Sequence, residues 1–160
     1  MLIRGVAIAI VWAVLDQLSK LWVLNLFASD PDARQWVVTG FFNLVLIFNR
    51  GISFGIFNTA SAWNAVVFAA LAAIIVLALL WWLRRAETWL LAAGIGLIIG
   101  GALGNAIDRV ARGAVVDFLD FHLGQWHPFA FNLADAGISL GVGLLIIDGL
   151  FGRRRKGAMG

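Results

Sequence analysis

Four apolar stretches, each about twenty residues long, limit what this chain can fold into more than any other feature. A helix rises about 1.5 Å per residue, so about 20 apolar residues cross a hydrocarbon core of about 30 Å. The stretches cover residues 5–24, 62–83, 89–107 and 133–151. The second has no charged residue, and the other three carry their polar residues towards one end. This pattern predicts an all-α membrane protein with four transmembrane helices, in a single domain spanning residues 1–160. Composition agrees. The chain is 62% hydrophobic and 13% charged, against about 45–50% and about 25% in soluble domains. That excludes a water-soluble monomer and a disordered chain. Without cysteine, disulfides, iron–sulfur clusters, thiolate zinc sites and a thiol nucleophile are excluded too. His122 and His127 are too few for a histidine-rich metal site, so neither metal nor cofactor is expected. The net charge is +3, and the isoelectric point near 10.6 reflects scarce acids rather than a basic face, which argues against nucleic acid as a partner.

Lys and Arg mark the cytoplasmic side of a membrane protein. Arg4, Arg84, Arg85, Arg153, Arg154, Arg155 and Lys156 fall at one end of a four-span arrangement. Lys20, Arg34, Arg50, Arg109 and Arg112 fall at the other. Both termini and the short turn at 84–88 are therefore expected in the cytoplasm, followed by a basic tail at 152–160. Asp16 and Lys20 interrupt the first stretch, which is also long for a cleaved signal, so an uncleaved span is expected. The outer segments are 27–60 and 108–132. The first has a bend at Asp30, Pro31 and Asp32, then β-branched and aromatic runs at 36–39 and 41–48 that predict a small sheet on the outer membrane surface. In the second, Trp126 and Phe129 suit the interface.

Ionisable residues inside a bilayer are costly and point to function. Asp30, Asp32 and Glu87 read as solvated loop acids, and Asp148 as a paired residue near Arg153. Asp16, Asp108, Asp117, Asp120 and Asp135 all fall near the outer ends of spans. Asp16 and Lys20, four apart, share a helix face, either as a structural ion pair or as chemical groups. Asn105, Asp108, Arg109 and Arg112 share a face of span three, and Gly96, Gly100 and Gly104 on the same span read as close helix packing. Asp135 lies one turn inside span four, on the side of Asn132 and Ser139. Asp117 reads either as a loop acid facing water, as Asp120 does, or as a partly buried group between Val116 and Phe118. If Asp117 and Asp135 meet, two adjacent carboxyls cannot both ionise easily, and together they can act as base and acid on a peptide bond without a metal. Spacing alone does not bring them together. Two other chemistries fit the same residues: a Ser53/Lys20 peptidase and a proton-coupled transporter.

Five blocks stand in order along the chain: DQLSK at 16–20, NRGISFG at 49–55, GGALGNAIDR at 100–109, VVDF at 115–118 and FNLAD at 131–135. Together they resemble the lipoprotein signal peptidases, the bacterial type II signal peptidases. Ile52 and Ser53, where Ala is common, are a mild variation. The resemblance implies an aspartic endopeptidase of the cytoplasmic (inner) membrane with an outer β-cradle between spans one and two and an active site near the outer face. It implies diacylglyceryl-modified prolipoproteins as substrates, cut before the lipidated Cys, with membrane lipids as partners and globomycin-type cyclic peptides as inhibitors. By motif match it assigns Asp117 and Asp135 as the catalytic pair. Asn49, Asn105, Arg109 and Asn132 would line the site, with Asp16, Lys20, Gly51, Gly104, Asp108 and Ala134 in support. Nothing in the sequence demands more than a monomer.

Overall fold

The structure is a computed structural model. It describes the backbone of residues 1–33, 35–51 and 62–157 and the side chains of 1–33, 35–51 and 66–151. Arg34, Ser53 and the rest of 52–61 lie outside the described residues, as do the side chains of the basic tail. In chain order the elements are α1 (Leu2–Ala28), β1 (Gln35–Thr39), β2 (Phe42–Asn49), α2 (Ala62–Leu83), α3 (Trp89–Arg112), β3 (Val115–Phe121), β4 (Ala130–Phe131) and α4 (Leu133–Gly157). All four helices are long and apolar enough to cross a membrane.

Half of α3's apolar window is buried, against 11–17% for the other three helices, so α3 is the central helix. Helices α1, α2 and α4 each pack on it. The glycines of α3 explain how the backbones approach. A Cβ at Gly96 would stand 2.5 Å from the Gly5 carbonyl oxygen, and one at Gly100 would stand 2.7 Å from that of Ala9. Gly101 faces the Ala134 carbonyl in the same way. Only the absence of a side chain lets α1 and α4 sit this close to α3. The apolar core at one end joins Ala9, Val76, Leu83, Ala92, Ile95 and Ile99.

Local signals set the ends of α3. The Thr88 hydroxyl accepts from the Leu91 N–H at 3.1 Å as N-cap, and the helix stops at Gly113, whose φ of +72° suits glycine. Thr88 also donates to Asp148 at 2.5 Å, so Asp148 has a hydroxyl partner at the start of α3.

One antiparallel sheet, in the order β1-β2-β3-β4, sits at the other end of the bundle. It is broader than the sequence reading, which placed it between the first two spans: β3 and β4 come from the second outer segment. The hydrophobic pattern of 115–118 gives no alternation to announce β3, because all four residues are buried. Leu44 pairs with Leu119 and Ile47 with Asp117, so β2 carries an extra residue there. Beyond this bulge Asn49 comes level with Val115. Val23 and Phe27 of α1 pack on Phe118 and fasten the sheet to the bundle. Asp120 is not a solvated loop acid as expected. It is buried in β3, where it accepts from Asn43 at 3.2 Å and pairs with His127 at 2.8 Å.

Candidate active site

The α3, β3 and α4 segments meet where the outer sheet joins the bundle, and polar side chains concentrate there. Asp117 comes from the middle of β3 and Asp135 from the first turn of α4. Asn132 joins them. Its Nδ2 donates to Asp117 Oδ1 at 2.7 Å, and its backbone N–H donates to Asp135 Oδ2 at 3.3 Å. In return, the Asp135 N–H donates to Asn132 Oδ1 at 3.1 Å. This reciprocal exchange is a capping box at the start of α4. The device that begins the helix therefore also aims Asp135.

Each carboxyl has a second amide donor. Asn49 Nδ2 donates to Asp117 Oδ2 at 3.0 Å, and Asn105 Nδ2 donates to Asp135 Oδ1 at 2.9 Å. The orientation of Asn105 is fixed from behind, because its Oδ1 accepts from Lys20 Nζ at 3.2 Å and from Asn132 Nδ2 at 3.3 Å. Arg109 closes one side. It donates to the Asn105 carbonyl and to the Gly51 carbonyl, each at 3.3 Å, and its guanidinium lies over the Phe68 ring. Gly51 in turn donates its N–H to Asn49 Oδ1 at 3.1 Å. Burial pushes the Asp117 carboxyl up to about 6, opposed by the amide of Asn49, reinforced by the neighbouring Asp135 and opposed again by Asn132.

A second network lies behind the first. Lys20 is fully buried, with Nζ 2.8 Å from both Asp16 Oδ2 and Asp108 Oδ2. The other oxygens of these acids hold backbone and side-chain donors. Asp16 Oδ1 accepts from the Ala134 N–H at 2.8 Å. Asp108 Oδ1 accepts from Arg112 at 2.7 Å, and Asp108 Oδ2 also takes the Val116 N–H at 3.1 Å. A Cβ on Gly104 would collide with the Asp16 carboxyl, so this position accommodates the acid. Two cations, Lys20 and Arg112, thus balance two acids, Asp16 and Asp108. That leaves Arg109 beside Asp117 and Asp135. Arg109 faces both carboxyls, and the Lys20 charge also reaches Asp117.

The structure brings together Asp117, Asp135, Asn49, Asn105, Arg109, Asn132 and Gly51 in one cluster, and Asp16, Lys20, Asp108, Gly104 and Ala134 in the network adjoining it. Asn105 and Arg109 serve the first cluster, while Asp108 and Arg112 serve the second. Sequence reasoning missed Gln17, whose amide donates to the Gly104 carbonyl and to Asp108 Oδ1, each at 3.1 Å. Its place beside Asp16 was the available signal. It also missed Trp12, whose indole N–H donates to the Leu133 carbonyl at 2.9 Å beneath the start of α4. Among the described residues, no group of three or more His, Asp or Glu side chains is arranged to hold a metal ion.

Residues 8–151 match the family model for signal peptidase (SPase) II. The chain belongs to the signal peptidase II family. Lipoprotein signal peptidases of Burkholderia cenocepacia and Burkholderia multivorans are each 48% identical over 152 residues, covering 94% of this chain and 89% of theirs. A bacterial membrane enzyme solved by the in meso method at 1.9 Å superposes with a TM-score of 0.76 at 29% identity, over 92% of both chains. A second, at 2.3 Å, gives 0.75 at 30% identity over 91% of this chain and 87% of the other. Membership makes the protein a peptidase.

Proposed function

We propose that the protein is an aspartic endopeptidase that removes signal peptides from diacylglyceryl-modified prolipoproteins, cutting just before the lipidated Cys. The observation that carries this reading is the bridge made by Asn132, which ties two carboxyls from different segments into one site beside Arg109.

In this reading one carboxyl of the pair is ionised and the other holds a proton. The ionised carboxyl takes a proton from water as the water oxygen attacks the scissile carbonyl carbon. The protonated carboxyl donates its hydrogen bond to the carbonyl oxygen, which becomes the hydroxyl of a tetrahedral diol. Collapse of that intermediate breaks the C–N bond, with a proton delivered to the departing amine, and one proton remains on the pair. The apparent acidities belong to the pair and not to either residue. Asn49, Asn105 and Asn132 orient the carboxyls, and Arg109 supplies the compensating charge. Asp16, Lys20, Gly51, Gly104, Asp108 and Ala134 hold the frame.

A bilayer location suits such a substrate. The signal peptide and the acyl chains both partition into lipid, at about 0.8 kcal/mol per buried CH₂. A site near the outer face of the inner membrane, reached laterally between helices, meets the scissile bond without extracting the lipid. The monomer with both termini in the cytoplasm, inhibited by globomycin-type peptides, completes this reading.

The Ser53/Lys20 alternative requires a neutral amine as base. Lys20 Nζ instead is already engaged, 2.8 Å from oxygens of both Asp16 and Asp108 and 3.2 Å from Asn105 Oδ1. Cleavage of a lipidated precursor by purified, reconstituted protein tests the proposal. Asp117→Asn and Asp135→Asn each abolish cleavage while Ser53→Ala retains most of it. Full activity in either Asn variant overturns the mechanism, and uptake without proteolysis in vesicles would favour a transporter.

A further inference from the structure

The bundle end opposite the sheet carries a feature that peptide hydrolysis does not use. Arg4, Ala7, Ile8 and Trp89 line an open groove of about 460 Å³ between the beginnings of α1 and α3. Arg4, Ala7 and Ile8 are three and four residues apart, so they form one face of α1. The groove walls are apolar except for the guanidinium. Gly5, next to Arg4, packs on Leu83 and on the Ala92 carbonyl, which puts the ends of α1 and α2 and the start of α3 together. Arg84 and Arg85 follow Leu83 directly. Arg85 is already engaged, its guanidinium 4.1 Å from the centre of the Trp81 ring. The acids near this end are Glu87, which has a partner, and Asp148, bonded to Thr88. Helices α1 and α3 both present their N-termini here, and α1 has no side-chain cap and no acid in its first turn, so its free N–H groups favour an anion.

We propose that this groove is a binding site for an anionic phospholipid. One acyl chain lies along Ala7, Ile8 and Trp89, and the phosphate sits against Arg4 and the first N–H groups of α1. Lipid is the occupant because these are flanks of helices long and apolar enough to span a membrane, so acyl chains reach them. The headgroup is anionic because a cation and a helix N-terminus converge at the groove's polar end.

The test is lipid retention by native mass spectrometry after detergent exchange, with thermal unfolding of the same samples. The probes are phosphatidylglycerol, phosphatidylethanolamine and inorganic phosphate. The wild type retains phosphatidylglycerol over phosphatidylethanolamine by at least tenfold and unfolds at a higher temperature with it, and phosphate alone gives no such shift. Arg4→Gln removes the cation and Ala7→Phe fills the groove without changing charge; each reduces retention at least tenfold. Arg85→Gln removes the same single charge elsewhere and keeps retention. Equal loss in Arg4→Gln and Arg85→Gln would mean unspecific attraction and overturn the site. Retention by Ala7→Phe, or equal protection by phosphate alone, would overturn it as well.

Discussion

Asn132 is asked to do two things, and their energies differ enough to be separated. As an N-cap it contributes about 1 kcal/mol to α4. As the donor shared by Asp117 and Asp135 it sets the geometry of the proposed reacting groups, where misplacement by about 1 Å can cost on the order of 10²-fold in rate. Asn132→Ala should therefore lower stability by only about 1 kcal/mol yet reduce kcat by about 10² or more, measured by unfolding and precursor cleavage on the same preparation. Lys20 shows the opposite balance. Its removal in Lys20→Met leaves Asp16 and Asp108 buried with one cation fewer, a loss of about 3–5 kcal/mol for a broken buried pair, readable as a lower unfolding midpoint. Asp117 adds a pH signature. Its carboxyl is raised to about 6 from 3.8, so between those values the folded protein binds more protons than the unfolded chain. Stability must then fall as pH rises from about 4 to about 6, by on the order of 3 kcal/mol. In Asp117→Asn this component vanishes, and a flatter stability profile over that window is the expected result. At this scale the sequence named the residues that the structure gathers into two adjoining networks. It could not show that Asp117 and Asp135 share Asn132 as a partner, because that arrangement depends on a strand and a capping box rather than on any spacing between them. Asp120 was misread because its partners, Asn43 and His127, are distant in sequence or beyond a turn.

The helices were legible in the sequence because a bilayer allows little else: every backbone group must be paired inside the span. The glycine spacing of α3 also carried its meaning directly, as close approach to α1. The strands were only half legible. β1 and β2 have β-branched and aromatic residues that speak for themselves, whereas β3 is buried on both sides and lacks alternation, and β4 is only two residues long. The helix contacts give a sharp contrast in glycine tolerance. Gly100→Ala would drive a Cβ to 2.7 Å from the Ala9 carbonyl oxygen, forcing α1 away from α3 at a cost of about 1–3 kcal/mol. Gly143, on α4, has open space where a Cβ would go. Gly143→Ala should be neutral or stabilising by about 0.5–1 kcal/mol, as expected for a mid-helix glycine. Paired thermal unfolding of the two variants checks both signs at once.

For the molecule as a whole, the proposed orientation makes a prediction that does not depend on catalysis. The chain has no cysteine, so single cysteines report position without a background. Gly40 lies in the β1–β2 hairpin with nothing near its Cβ position, and Arg84 lies in the turn between α2 and α3. In cells with a permeabilised outer membrane, Gly40→Cys should react with a membrane-impermeant maleimide, and Arg84→Cys should react only after the inner membrane is opened. The reverse pattern would invert the topology. The same geometry has a mechanical side. Val116 and Ala134 each immediately precede one of the two aspartates, and their amides are gripped by Asp108 and Asp16, which share the ammonium of Lys20. One side chain on the first span thus works as the crossbar of a yoke. Both aspartate-bearing segments are therefore moored to α1 through one nitrogen atom.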